Sequence, residues 1–312
     1  MQIVQIDVQS DTLSIIFDHL AIRGTVFCRA ELDAPWGVRT NGTESAIFHV
    51  AVSGSGYVRV DGGEAVSWRA GDLLLLPHGD PHVMSSEPER APRHITTLPS
   101  NVGSDGLPCV FHQGDGPRTS ILCGTFELGE DASLLLDELP ALMRVASGGS
   151  TSAWLDATLR LLTEEVGGAR PGAQTVVTRL AEVLLVHALR AWMNESGAAQ
   201  HGWLAALADP VLAKALREIH RAPEREWTAA TLARAAGVSR SALYTRFTER
   251  LAVSPAAYLT RWRMTVARRA LRSEIPIAEV AAQVGYRSEA AFSRAFKREV
   301  GASPSSWRVE AR

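Results

Sequence analysis

No stretch of this 312-residue chain approaches the roughly 18–20 consecutive apolar residues that a membrane-spanning helix needs. The opening MQIVQIDVQSDTLSIIFDHL has acids where a secretory leader has bases, and no clear cleavage site. Cysteine is scarce. Cys28, Cys109 and Cys123 are an odd, sparse set, which argues for a reducing compartment and against a disulfide framework. No glycine-rich phosphate loop, serine nucleophile elbow or metalloprotease helix is present. These gaps point to a cytoplasmic chain that is not an enzyme, takes no cofactor and has no membrane partner.

What is present is ordinary in amount and uneven in placement. The chain is 46% hydrophobic and 21% charged, as in a globular protein of two ordinary domains. The net charge of −2 hides an asymmetry. Residues 1–208 hold 13 basic against 24 acidic side chains, a net of −11. Residues 209–312 hold 19 against 10, a net of +9. A basic C-terminal third on an acidic body points to a polyanionic partner for that third.

Residues ~10–125 read as β-structure. AIFHVAVSGSGYVRVDGG alternates apolar and polar residues and ends in a glycine turn, and AVSWRAGDLLLLPHGDPHVM gives two strands and a Pro/Gly corner. Such spacing suggests a barrel or sandwich. Residues ~86–118, rich in Pro, Gly and Ser, read as loops. From ~131 the period turns helical, starting with a short helix in SLLLDELPALMRV that is interrupted near Pro140. TSAWLDATLRLLTEEV places Trp154, Leu155, Thr158, Leu159 and Leu162 on one stripe. AQTVVTRLAEVLLVHALRAWM does the same with Val176, Val177, Leu180, Val183, Leu184 and His187. NESGAAQHG reads as a linker.

The basic third contains a repeat. Ala233 and Gly237 recur 48 residues later as Ala281 and Gly285. Ser239, Leu243, Phe247, Ser254, Pro255 and Tyr258 recur 49 residues later as Ser288, Phe292, Phe296, Ser303, Pro304 and Trp307. Each copy predicts a helix-turn-helix, over 228–250 and 277–300. The alanine admits close helix approach, the glycine makes the turn, and the serine caps the second helix. Leu243/Phe247 and Phe292/Phe296 pin that helix to a core as i,i+4 pairs. The other face is polar: Arg240, Ser241, Tyr244, Thr245 and Thr248 in the first copy, Glu289, Ser293, Arg294 and Lys297 in the second. Such a helix fits a major groove of double-stranded DNA. Residues 255–272 predict a connecting helix of about 27 Å, able to hold two such helices near the ~34 Å spacing of successive grooves. Its Arg261, Arg263, Arg268 and Arg269 are expected to meet phosphates or carboxylates.

Through the two copies, the linking helix and GYRSEAAFSRAFKREVGASPSSW, the basic third resembles the DNA-binding domain of the AraC/XylS transcription regulators over residues ~209–309. The resemblance implies an operator-binding domain joined to a ligand-responsive or dimerising domain. By matched position, Ala290 joins the second copy's DNA-facing residues. Arg240, Ser241, Tyr244 and Thr245 face DNA from the first, where Ser241 and Thr245 are shorter than in many relatives.

GDLLLLPHGDPH fits the second cupin signature through Gly71, Pro77, Gly79 and His82. In metal-bearing cupins the matching histidine is a ligand. Here the first signature's His-x-His is missing, and His49 stands near the usual glutamate, so the set is incomplete. The resemblance is closer to the cupin-type sensors fused to AraC-type regulators. The architecture expected is therefore multidomain α+β. A cupin-like β-barrel spans 1–125, a helical linker with dimerisation helices 126–200, and an all-α tandem helix-turn-helix domain 209–312. Trp36, His49, His78 and His82 are the candidate effector pocket, with Trp68 beside them. His82, Cys109, His112 and Cys123, with His94, are a weaker metal set, set against a reading of Cys28 and Cys123 as small buried core residues and of His112 as a loop residue. The partners implied are duplex DNA, an effector of unknown identity, a second copy of the chain and, as a further candidate, RNA polymerase. The competing readings are a metal-dependent cupin enzyme carrying a DNA-binding module, and a dimeric regulator without a ligand.

Overall fold

A computed structural model describes residues 12–14, 23–103, 107–127, 139–147, 152–168, 170–195 and 202–310. The chain divides into two compact units: residues 22–196, and residues 197–312 together with 1–21.

In the first unit, the described strands are β1 (Arg23–Asp33), β2 (Gly37–Thr40), β3 (Ala46–Ser53), β4 (Ser55–Val60), β5 (Val66–Arg69), β6 (Leu73–Leu76), β7 (His82–Ser85), β8 (Arg93–His94), β9 (Ser100–Val102), β10 (Pro108–His112), β11 (Arg118–Glu127) and β12 (Met143–Val145). They form a seven-stranded sheet, β12-β6-β3-β11-β1-β10-β9, and a five-stranded sheet, β5-β4-β7-β2-β8. Both sheets are open and mixed, so the expected closed barrel is a two-sheet sandwich. Its physical reason is visible at the corner between β3 and β4. Gly54, at a φ of +82°, passes the chain from one sheet to the other, and a Cβ there would lie 2.6 Å from Thr119 Oγ1. Leu32, Trp36, Val58, Trp68, Met84 and Ile121 fill the space between.

The stretch read as loops contains β8, β9, β10 and a 3₁₀ turn at Ile95–Thr97. These strands are short and lack alternation; β8 and β9 are sheet edges, and β10 is held between β9 and β1, with which it pairs in parallel. In the short helix expected after residue 131, positions 131–138 lie outside the described residues. Met143–Val145 is instead β12, paired with Leu73–Leu75. That strand flanks β6, whose four leucines are all buried. Asp72, fully buried, ties the corner together. It accepts bonds from the Arg69 and Ser147 amides and from Arg144 Nε at 2.9–3.0 Å.

Helices α1 (Ser152–Gly168) and α2 (Ala173–Glu195) pack on each other, and α2 lies against β1 and β12. Gly24 is required there, because a Cβ would meet Ala181 Cβ at 2.5 Å. Leu155, Thr158, Leu159 and Leu162 are buried as expected, but Trp154 is 68% exposed. Val177 and Leu184 are buried, Leu180 and His187 half-buried, and Val176 and Val183 exposed. The apolar residues thus wrap more than one face of the hairpin.

The second unit contains α3 (Trp203–Ala208), α4 (Pro210–Arg221), α5 (Ala229–Ala236), α6 (Arg240–Leu251), α7 (Pro255–Leu271), α8 (Ile277–Gln283), α9 (Glu289–Val300) and α10 (Pro304–Glu310). It starts before the charge changes sign. Trp203 is buried and donates to Tyr258 Oη at 3.1 Å, and Tyr258 is 2.8 Å from His220 Nε2. The Thr12 hydroxyl also bonds Ala213 O, so this part of the N-terminal segment packs with the helices.

Candidate functional site

Each repeat forms the expected helix-turn-helix. Gly237 and Gly285 have φ of +76° and +79°, the left-handed turn that glycine allows. Ser239 and Ser288 cap α6 and α9 by accepting from the amides three residues on, both at 3.2 Å. Leu243, Phe247, Phe292 and Phe296 are fully buried. Burying them leaves one direction open. Arg240, Ser241, Tyr244, Thr245 and Thr248 are exposed on α6. Glu289, Ala290, Arg294 and Lys297 are exposed on α9, with Ser293 half-buried. Two hydroxyls are partly engaged. Thr248 Oγ1 donates to Tyr244 O at 2.9 Å, and Ser241 Oγ lies 3.1 Å from Ser239 Oγ.

The connecting helix α7 starts at Pro255 behind a Ser254 cap, as expected. Its arginines divide. Arg261 and Arg269 are exposed, and Arg268 stands over the Trp307 ring at 5.6 Å. Arg263 donates to two backbone carbonyls, Pro223 O at 2.8 Å and Arg225 O at 2.9 Å, and the neighbouring Glu224 carboxylate favours its charge.

In the β-sandwich, strand register creates a chain of contacts. Cys28 on β1 is opposite Cys123 on β11, and Cys123 is opposite His49 on β3. His49 Nδ1 is 3.1 Å from Cys123 Sγ, and His49 Nε2 is 2.9 Å from His82 Nε2. His82 Nδ1 is 2.9 Å from Asp80 O. A carbonyl only accepts, so His82 carries its proton on Nδ1. His82 Nε2 then accepts from His49 Nε2–H, and His49 Nδ1 accepts from the Cys123 thiol. Burial holds His49 well below its ordinary range, helped by the neighbouring His82, and burial lowers His82 as well. The two thiols bond each other. That contact lowers Cys28 against the effect of burial and, together with burial, raises Cys123.

Two models of known families match. One described as "Cupin" covers residues 11–194, and one described as "Helix-turn-helix domain" covers residues 232–310. A protein of Streptomyces lividans described as an AraC-like transcription regulator is 35% identical, over 96% of this chain and 98% of that one. The chain belongs to the AraC-type transcription regulators. The regulator AlkR of Acinetobacter baylyi is 28% identical, over 96% of this chain and 99% of its own. Among solved structures, the DNA-binding domain of AdpA in complex with a target DNA is 30% identical, over 33% of this chain and 94% of that one, with a TM-score of 0.32.

This AraC-type regulator is thus a DNA-binding protein with a cupin-like N-terminal domain, and the rest of its predicted sensor residues scatter. His78 is exposed and bonds Leu139 O at 2.9 Å, away from the His49–His82 pair. Trp36 and Trp68 are buried together, their rings 6.3 Å apart. The weaker metal set does not converge. His112 bonds Pro35 O, Cys109 lies on β10, and His94 pairs with Thr96. Among the described residues no group of three or more His, Cys, Asp or Glu is arranged to hold an ion. Both His49 nitrogens are engaged, one with a thiol and one with a ring, so the pair does not fit as two ligands of one metal. The sequence reading missed the Cys28–Cys123–His49–His82 chain. The residues stand 21 to 95 positions apart; the register of β1, β3 and β11 joins Cys28, Cys123 and His49, and the facing of the two sheets adds His82 from β7.

Both histidines are neutral in the folded unit, whereas an unfolded histidine protonates below about pH 6.5. The unfolded chain then binds more protons, so stability rises with pH across this window. It is complete above pH 6.5 and is lost as the pH falls from there towards the depressed folded values. The carboxylates of Asp61 and Asp80 pull His82 the other way without cancelling the effect of burial. Urea unfolding of the cupin-like unit should show a lower midpoint at pH 5 than at pH 7.5, and His49→Asn should flatten that difference. An unchanged slope in the variant would place the pH dependence elsewhere.

Proposed function

We propose that this regulator recognises its operator with both polar helix faces and that its cupin-like unit senses a small molecule. The first claim rests on two sets, exposed but for the half-buried Ser293: Arg240, Ser241, Tyr244, Thr245 and Thr248 on α6, and Glu289, Ala290, Ser293, Arg294 and Lys297 on α9. Arg294 and Lys297 give the second polar set two long cationic side chains where the first has Arg240, since Arg246, also exposed on α6, is paired with Asp209. The second helix therefore contributes more of the direct base reading, and the first more of the phosphate and shape contact.

The effector reading is supported by the sandwich interior. Trp36 and Trp68 bury indole N–H groups that have no hydrogen-bond partner among the described residues. Each such donor costs about 1–3 kcal/mol. A ligand with an apolar body and a hydrogen-bond acceptor offsets that cost. The His49–His82 pair borders the same core through Cys123. The enzyme alternative loses its ligand, since His82 is committed to Asp80 O and His49. The relatives, all regulators by name, agree with this.

The reading includes a homodimer acting in the cytoplasm, with RNA polymerase as a further partner. Trp154, Leu161, Val176 and Val183 are 41–68% exposed on α1 and α2, an apolar face suited to a second copy. Sedimentation of the full chain reads this directly, and a monomer at micromolar concentration removes the dimer from the account.

On an operator selected from random duplexes, Arg294→Ala should cost about 1–3 kcal/mol and much less on unselected DNA. Equal losses on both would make Arg294 a phosphate contact. In a thermal-shift screen, acceptor-bearing apolar compounds should raise the Tm of the wild type more than that of Trp36→Phe. Equal stabilisation of both proteins would take the indole out of the site.

A further inference from the structure

We propose that Arg263 is the positioning residue that sets the spacing at which the two recognition helices meet DNA. The proposal rests on the two-helix reading above and adds to it a residue that touches no nucleic acid. Arg263 projects from the middle of α7, the helix that joins the two helix-turn-helix units. Its Nε and Nη2 donate to Pro223 O and Arg225 O, in the loop that leads from α4 into the first unit. The same guanidinium lies 5.7 Å over the ring of Tyr286, in the turn of the second unit. One planar cation thus holds a segment of each unit at once.

The junction is tight. A Cβ on Gly285 would lie 2.5 Å from Glu224 O and 2.7 Å from Arg263 Nη2. Gly285 is therefore required both for its positive φ and for this approach. An exposed ion pair, Glu226 with Arg287, spans the same two segments at the surface. Beside it, Arg225 stacks over Trp227 at 4.6 Å, and Trp227 Nε1 donates to Ala222 O at 2.8 Å, which stiffens the loop that Arg263 grips. Burial lowers the pKa of Arg263 without discharging it, in keeping with a half-buried structural cation.

A lysine at this position keeps the charge but lacks the planar fork that meets two carbonyls and a ring face together. That difference separates positioning from phosphate binding. The test uses the full chain and duplexes carrying two half-sites obtained by selection from a random library. The number of base pairs between the half-sites is then varied around one helical turn of about 10 bp. The wild type should bind best at one spacing. Arg263→Lys should bind that duplex about tenfold more weakly, with a flattened spacing preference. Its affinity for each single half-site, its salt dependence and its Tm should be unchanged within error. Arg263→Met should behave in the same way, and where it fails to fold, Arg263→Lys decides alone.

Three results would overturn the proposal. One is a lysine variant that keeps the wild-type spacing optimum and affinity. Another is a Met variant with a salt slope shallower by about one, the mark of a lost phosphate contact. The third is a uniform loss on single half-sites with a lowered Tm, which would make Arg263 a purely structural residue.

Discussion

The burial of one i,i+4 pair on each recognition helix decides the rest of the DNA-binding unit. Leu243 with Phe247, and Phe292 with Phe296, are fully buried. Each large side chain stabilises its helix by roughly 1.5–3 kcal/mol through burial. With those faces fixed, the polar residues between them have nowhere to go but outward. The glycine turns and serine caps set where each helix begins. The free face and its first residues are thus determined by packing, before any base is read.

The cupin-like unit depends on register instead. The pairing of β1 with β11, and of β11 with β3, brings Cys28, Cys123 and His49 into one row. A shift of one residue would turn all three to the opposite face. The result is a buried chain from a thiol pair through two neutral imidazoles to a backbone carbonyl. It is sensitive to protons in a way that a purely apolar core is not, and it borders the interior where Trp36 and Trp68 hold unpaired donors.

This contrast explains what was legible in the sequence. The helix-turn-helix units are local: alanine, glycine, serine and the apolar pair fall within about fifteen residues, so spacing alone placed them. The sandwich is not local. Strands β8, β9 and β10 were read as loops because β8 and β10 become strands only on β2 and β1, far away in the chain, and β9 only on β10. Strand spacing left barrel and sandwich open and the cupin resemblance pointed to a barrel; neither reveals that Gly54 carries the chain between two open sheets. His49 and His82 were singled out individually, but the contact of His49 with Cys123 needed the register, and its contact with His82 the facing of the two sheets. Arg263 was placed on the right helix, but a charge count does not reveal its two backbone-carbonyl partners. Trp154 was assigned to a buried stripe that the hairpin leaves in the open.

The central claim is that one polypeptide reads DNA with two helices held by α7. Hydroxyl-radical footprinting of the full chain on a selected operator tests it most directly. The account predicts two protected patches per bound chain, on one face of the duplex and about one helical turn, or about 10 bp, apart. Protection should be lost at one patch with substitutions on α6 and at the other with substitutions on α9. A single patch per chain, or two patches that respond together to either set of substitutions, would contradict it.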